Sequence, residues 1–534
     1  MRTKKLLLVL SAAALAHAAL SAQIRFKNIY QDNMVLQAGA PNTVAGRTDP
    51  GSEVTISWKA EGGPERSLKA RAGDDGKWSA EIPAMPKRAV LEISASDKSG
   101  SARISNVLTG ELWMASGQSN MEWSFTKGTA GDDYVRARQA DADASNGEIR
   151  MFIMPHWLLA HPMDEVGGKW HVVDSETVKD RMLSAIGFLF ARDIRNALDT
   201  PVGIINNAVG GSCIEAWIPR SAFENSKQKF VLDRFEESLK DAEARRAEYE
   251  RAYPQWLEKY PTPELQNKNG GTRPRPPLDR MSYNVPCAMY NAMTHGIAPL
   301  KPKGVLWYQG ESNAARANEY GELAKLLVES WRKRFGTDFW FFYAELAAFT
   351  NRQTEPVEGR ERWGCIREAQ ADVLELPKTG VAANSDRDSS PRPLGDIHPP
   401  HKDVVAGRFA KLALAEAYGK IPRKDAVAPF YKSHRIEGGK IVVDVEYGDG
   451  LKKMDKAEKL TGFAIRGDGN GKWMWADAKI SGGRISLSHP DIKKPEAARY
   501  GWASNPALSV ENKYGLPLRP FSTDRGSQLD YGKK

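Results

Sequence analysis

This sequence predicts an α/β fold, a doubly wound parallel sheet flanked by β-rich, sandwich-like regions on its N- and C-terminal sides. Three observations lead there. Between about residues 108 and 419 the apolar runs ELWMAS, EIRMFIM, VGIINNAV, GVLWYQG, FWFFYAEL and TGVAAN alternate with helical patterns such as 184–197 and 320–334. Several of these runs are continuously apolar, as strands buried on both faces of a parallel sheet are. From Ile24 to about Val107, short β-like runs (VTISW, LEISAS) are separated by turn signals (TDPGSE, AGDDGKW, SDKSGS), the pattern of a small sandwich. After Gly419 the text is β-like again: KIVVDVEYG, LTGFAIRG, KWMWADAKI, RISLSH.

At 534 residues the chain exceeds what one hydrophobic core serves, so two or three domains are expected. Residues 1–22 read as a secretory signal peptide: Arg2, Lys4 and Lys5 precede an apolar run from Leu6 to Ala16, and Leu20-Ser21-Ala22 offers small residues for cleavage before Gln23. That run is short for a membrane span, and no later stretch is longer, so an exported protein, secreted or periplasmic, with no integral membrane segment is expected. The sandwich then takes 23–107, the α/β region 108–419 and the second β-rich region 420–534. A charged helix and a proline-rich loop (GGTRPRPPLD) read as an insertion at about 221–280. DGNGKW, without the spaced oxygen ligands and closing Glu of a calcium loop, reads as a hairpin turn.

The formal charge of +9 includes three positive residues of the leader, and the remainder is interspersed with acids, as in EESLKDAEARRAEYERAY. That is a solvated helical face, and a nucleic-acid partner is not expected. Cys213, Cys287 and Cys365 are far apart with no CxxC pattern; one disulfide with a free thiol, or three buried thiols, both fit.

The chemistry gathers at strand ends, where open α/β sheets bind ligands. Strand ELWMA runs into Gly117-Gln118-Ser119-Asn120-Met121. Ser119 is placed either to cap a helix or to act as a nucleophile whose own amide faces developing negative charge. Strand VGIINNAV ends in Gly210-Gly211-Ser212, and GVLWYQG in Gln309-Gly310-Glu311-Ser312-Asn313. Downstream, GDIHPPHK puts Asp396 and His398 in a loop ahead of a helix. Nucleophile, base and oxyanion donors are the parts of acyl transfer. The pattern is not G-x-S-x-G, since Met121 stands where the second glycine belongs. Asp396, His398 and His401 straddle Pro399-Pro400 with nothing nearby to complete a metal-ligand set, so neither metal nor cofactor is expected.

In order, GQSNM, GGS-x-IEAW, WYQGES and DIHP resemble the sialate O-acetylesterase family of SGNH-type carbohydrate esterases, as do WGCIREAQ (363–370) and PLRPFSTD (517–524). The resemblance spans about Arg25 to Asp524 and implies an SGNH-hydrolase-like sheet. It implies Ser119 as nucleophile, His398 as general base, and an oxyanion hole from the amides of Ser119 and Gly211 with a side-chain amide from Gln309 or Asn313. Glu215 and Trp217 are expected to brace the glycine loop. Trp307 and Tyr308 are read as core, His295 as a satisfied histidine near the core and His401 as an exposed loop residue. Many relatives carry D-x-x-H, whereas position 395 here is Gly and the aspartate lies two before the histidine. Asp396 completes a triad, or a main-chain carbonyl orients His398 in a dyad, or Asp386 or Asp388 contributes. Arg387 and Arg392 are candidates to hold an acidic sugar. An O-acetylated sialic acid is the expected substrate; an acetylated plant glycan such as xylan, or glycan binding without turnover through Trp473 and Trp475, are the alternatives.

Overall fold

The computed structural model describes residues 23–127, 131–262, 265, 274, 282–357, 361–388, 396–455, 457–467 and 471–524. The leader, most of the proline-rich loop, Arg392 and the tip of DGNGKW lie outside the described residues.

The centre is a parallel sheet, as the sequence predicts. Its strands are β1 (Gly100–Gly117), β2 (Ile149–Ile153), β3 (Lys169–Val172), β4 (Val202–Ala208), β5 (Gly304–Tyr308), β6 (Trp340–Ala344) and β7 (Thr379–Ala382). They lie in the order β3-β2-β4-β1-β5-β6-β7, and only the edge strand β3 runs antiparallel. Every residue of β2, β4 and β5 is buried, which is why these strands do not alternate apolar with exposed polar residues; even Arg150, Asn206 and Asn207 are buried. A short helix, α1 (Ser119–Glu122), follows β1 directly. Helices α2 (Ala185–Leu198) and α4 (Asp403–Leu412) pack on one another and on the sheet, while α3 (Ala317–Phe335) packs on the helix Arg362–Gln370.

Strand β1 does two jobs. Its first half pairs with Val35–Gln37 and, antiparallel, with Val90–Asp97; its second half pairs in parallel with β4 and β5. The expected division at residue 107 therefore falls inside one continuous strand. One hydrophobic core runs from Phe26, Ile56 and Trp78 of the N-terminal β region into the α/β layer, and a second fills the C-terminal sheets around Ile441, Val443, Phe463 and Tyr500.

The closing motif reaches back to the centre: Arg519, buried, donates to Glu345 Oε1 and the Tyr343 hydroxyl at 3.0 Å each. All three cysteines are buried and none forms a disulfide, and burial pushes the thiols of Cys213 and Cys287 up to about 12. Among the described residues, no helix is long and apolar enough to cross a membrane.

Candidate active site

Register alone brings three motifs to one level. Gly117, the last residue of β1, is the partner of Ala208 on one side and of Tyr308 on the other, so Gln118-Ser119, Val209-Gly210-Gly211 and Gln309-Gly310-Glu311 all leave the sheet together. Gly117 has φ +133°, and a Cβ there would sit 2.1 Å from the Tyr308 carbonyl oxygen, so only glycine allows the two strands this approach. This crevice is also where the strand order reverses, the place at which open α/β sheets bind ligands.

Helix α1 is a single turn with Gln118 as its N-cap residue. Ser119 is thus its first helical residue rather than its cap, and its hydroxyl is spent on a different partner. His398 Nε2 lies 2.9 Å from Ser119 Oγ. On the far side of the ring, His398 Nδ1 lies 3.2 Å from Asp396 Oδ1, and the same oxygen accepts the His398 amide at 2.9 Å. The departure from D-x-x-H is therefore compatible with contact, because the i, i+2 spacing folds the carboxylate back beneath its own histidine. Asp386 is occupied elsewhere. Burial alone would raise its carboxyl, but the guanidiniums of Arg408 and Arg387 outweigh burial and hold it at about 2.

The rest of α1 reaches out in every direction. Asn120 Nδ2 donates to Glu311 Oε1 at 2.7 Å and to the Ile397 carbonyl at 3.1 Å. Met121 is buried, and its carbonyl accepts the Ser184 hydroxyl that caps α2. Glu122 accepts the Gly210 amide at 2.5 Å. Trp123, which follows the helix, stacks on His398 with ring centroids 4.2 Å apart. Ahead of it, Gln118 Oε1 accepts the amides of Ser312 and Gly310 at 3.2 and 3.4 Å. The stretch from Gln118 to Trp123 thus ties the nucleophile to the core, the glycine loop, the third motif and the histidine loop.

As the first residue of a helix, Ser119 has no intrahelical partner for its amide. The Gly211 amide likewise donates to no group among the described residues. Both side-chain amides of the third motif are already engaged. Gln309 Nε2 donates to Asn313 Oδ1 at 2.7 Å and to the Ser212 carbonyl at 3.2 Å; Asn313 Nδ2 donates to Glu215 Oε2 at 2.8 Å. Trp217 Nε1 donates to Ser212 Oγ at the glycine loop, whereas Glu215, which also receives Arg316, holds the third motif through Asn313. Gln370 of WGCIREAQ donates to the Gln309 carbonyl at 3.0 Å. Trp307 and Tyr308 are core residues, at 2% and 1% exposure. His401 is exposed, and His295 lies 3.5 Å from Asp164. Trp473 is buried beneath Arg499, 4.1 Å from its ring centroid, and offers no open face to a sugar.

Arg387 lines a cleft of about 760 Å³ between the α/β layer and the C-terminal β region, together with Pro399, His401, Arg352 and Lys459. Its Nε and Nη2 both reach Asp386 Oδ2. Sequence reasoning did not single out Gln118, Glu122, Trp123, Gln370 or Lys402. Gln118, Glu122 and Trp123 had a usable signal in their closeness to Ser119 in the chain, and Gln370 in its place in WGCIREAQ; Lys402 had none.

A serine, an imidazole and a carboxylate in line are the parts that serine-based acyl transfer uses. Residues 109–247 match the family model described as carbohydrate esterase, sialic acid-specific acetylesterase. The chain is 22% identical to the sialate O-acetylesterase of Rattus norvegicus, over 94% of this chain and 95% of the relative. It is 24% identical to that of Homo sapiens, over 94% and 93%. Among solved structures, a carbohydrate acetylesterase from Xanthomonas citri superposes with a TM-score of 0.75 at 27% identity, covering 94% of this chain and 99% of that one. The chain is an esterase, similar along nearly its whole length to the sialate O-acetylesterases.

Proposed function

We propose that this protein removes O-acetyl groups from sialic acids through an acetyl-enzyme on Ser119. The observation that carries the reading is the 2.9 Å contact between His398 Nε2 and Ser119 Oγ with Asp396 behind the ring. His398 takes the hydroxyl proton as Ser119 attacks the acetyl carbonyl. The tetrahedral oxyanion is received by the amides of Ser119 and Gly211. A third donor is Gln309, which gives up its longer bond to Ser212, or else Asn313. The protonated imidazole then hands its proton to the departing sugar alkoxide, and Asp396 stabilises the imidazolium. Water, activated by the same histidine, releases acetate and restores the serine.

Arg387 lines the cleft beside the histidine loop, among the carboxylates Asp386, Asp388, Asp455, Glu458 and Glu511, and is the candidate there for pairing with a sugar carboxylate. Arg392 belongs to the same proposal on sequence grounds. Export, to the periplasm or the medium, is proposed from the 1–22 pattern. Acetate release from an O-acetylated sialic acid, measured with the wild type and with Ser119→Ala, tests the reading. Turnover by the wild type alone supports it; equal turnover, or none by either with the glycan still bound, overturns it.

A further inference from the structure

Four contacts besides that of Ser119 fasten the histidine loop to the nucleophile's helix and to the Trp123 that follows it. The Ile397 carbonyl, just before the base, accepts Asn120 Nδ2 at 3.1 Å. Lys402, four residues after the base, donates its ammonium to Asn120 Oδ1 at 2.5 Å, and that ammonium lies 5.5 Å from the Trp123 ring centroid. Trp123 in turn lies against the imidazole, 4.2 Å between centroids and 21° between planes.

These contacts differ in kind from the Asp396 bond. A hydrogen bond to Nδ1 anchors one atom of the ring, whereas the torsion that swings the imidazole plane is broad and weakly staggered. A stacked indole restricts that torsion. Lys402 is 2% exposed. Burying an ammonium is costly even when it is paired, and a neutral side chain would latch two loops at least as well. Asn120 is fixed from behind as well, since its Nδ2 also meets the Glu311 carboxyl at 2.7 Å. Burial raises that carboxyl above its ordinary range.

We infer that Asn120, Trp123 and Lys402 are positioning residues that hold the His398 ring in line with Ser119, with Asn120 setting the loop and Trp123 the plane. This rests on the serine-esterase reading and concerns only how the base is aimed.

The test uses a small aryl acetate and a fluorophosphonate that labels an activated serine. In Trp123→Ala and Asn120→Ala, kcat on the aryl acetate is expected to fall on the order of 10- to 100-fold, with KM changed less than about threefold. Trp123→Phe, which keeps a ring to stack, should recover most of the loss. Labelling should slow by the same factor yet still reach the wild-type number of labelled serines per chain. Lys402→Met, a change that keeps the buried stem, carries the same readouts if Trp123→Ala does not fold. Fewer labelled serines with a wild-type rate at each would mean that these residues only support the fold, and the inference falls. If wild-type Ser119 is neither labelled nor needed for aryl acetate hydrolysis, the serine-esterase reading fails first and takes the inference with it.

Discussion

The carboxylate of Glu122 accepts the backbone amide of Gly210 at 2.5 Å, joining the nucleophile's helix to the glycine loop. The same approach explains the glycine, because a Cβ at 210 would lie 2.8 Å from Glu122 Oε2 and 3.4 Å from Ser119 Cβ. Gly210→Ala must therefore displace either the Glu122 carboxylate or the loop, breaking the tie that sets the glycine loop and its Gly211 amide beside the nucleophile. A loss of about 100-fold in kcat is expected from a displacement of that order. Glu122→Gln, which retains an acceptor, should cost far less than Glu122→Ala. Steady-state kinetics on an aryl acetate checks both, and wild-type kcat in Gly210→Ala would separate the glycine loop from catalysis.

Ser119→Ala and His398→Ala should each abolish nearly all turnover, and the double variant should be no worse than either, because the two act as one unit. Asp396→Asn divides triad from dyad: a working triad aspartate is worth on the order of 10⁴-fold, so a loss below about tenfold assigns the orientation of His398 to other groups. The base must be neutral to accept a proton. Activity should accordingly fall toward acid pH, where the imidazole is protonated. A serine mechanism also predicts that exhaustive chelation leaves the rate unchanged.

Gln309→Ala is expected to cost on the order of 100-fold if its amide serves the oxyanion. Both Nε2 hydrogens are committed at rest, to Asn313 Oδ1 and the Ser212 carbonyl. Asn313→Ala frees one of them, and the double variant should show strong non-additivity with Gln309→Ala. A nearly silent Gln309→Ala beside a severe Asn313→Ala would assign the third donor to Asn313 or to the loop that it braces.

The strands were legible because burial on both faces leaves continuous apolar text, as in GVLWY, and the helix over 184–197 was legible from its amphipathic period. The division at 107 was not, since both halves of β1 read as strand and nothing in local sequence says that one strand serves two layers. At the site, short motifs exposed Ser119 and His398 as a pair although 279 residues separate them. The stack of Trp123 on His398 and the burial of Lys402 left no such trace. A tryptophan after a helix and a lysine after two prolines look like ordinary surface residues until the loops meet.

Asp386 and His295 set the expected acid response. The Asp386 carboxyl, held at about 2 by Arg408 and Arg387, contributes stability above its ordinary 3.8 that is lost as pH falls from there through about 2. Asp386→Asn leaves the buried Arg408 guanidinium unpaired and should cost about 3–5 kcal/mol at neutral pH, with the difference shrinking below pH ~4. His295 behaves oppositely in charge but alike in direction. Burial, with Arg334 adding to it, lowers its pKa to about 4. Between about 6.5 and 4 the unfolded chain binds a proton that the folded chain refuses, so stability declines as pH drops through that window. Urea unfolding midpoints at pH 7, 5 and 3.5 for the wild type and Asp386→Asn check the first effect, and His295→Gln should flatten the decline between 7 and 5.

Substrate choice must come from the surroundings, since the strand-end groups see only an acetyl ester and its leaving oxygen. The Arg387 guanidinium lines the cleft beside Pro399, the residue after the base, and Lys459 from the C-terminal region lines the same cleft. Two of its N–H groups are held by Asp386, which fixes the plane of the guanidinium. An O-acetylated sialic acid is therefore expected to exceed acetylated xylo-oligosaccharides in kcat/KM. Arg387→Ala should raise KM for the sialate several-fold, while aryl acetates, which lack the carboxylate, are spared. Arg387→Lys should restore attraction without the fork and recover only part of the loss. Both natural substrates compared at one pH decide the matter. A clear preference for the neutral oligosaccharide would reject the sialate and point to a plant glycan, with the serine chemistry of Ser119 and His398 unaffected.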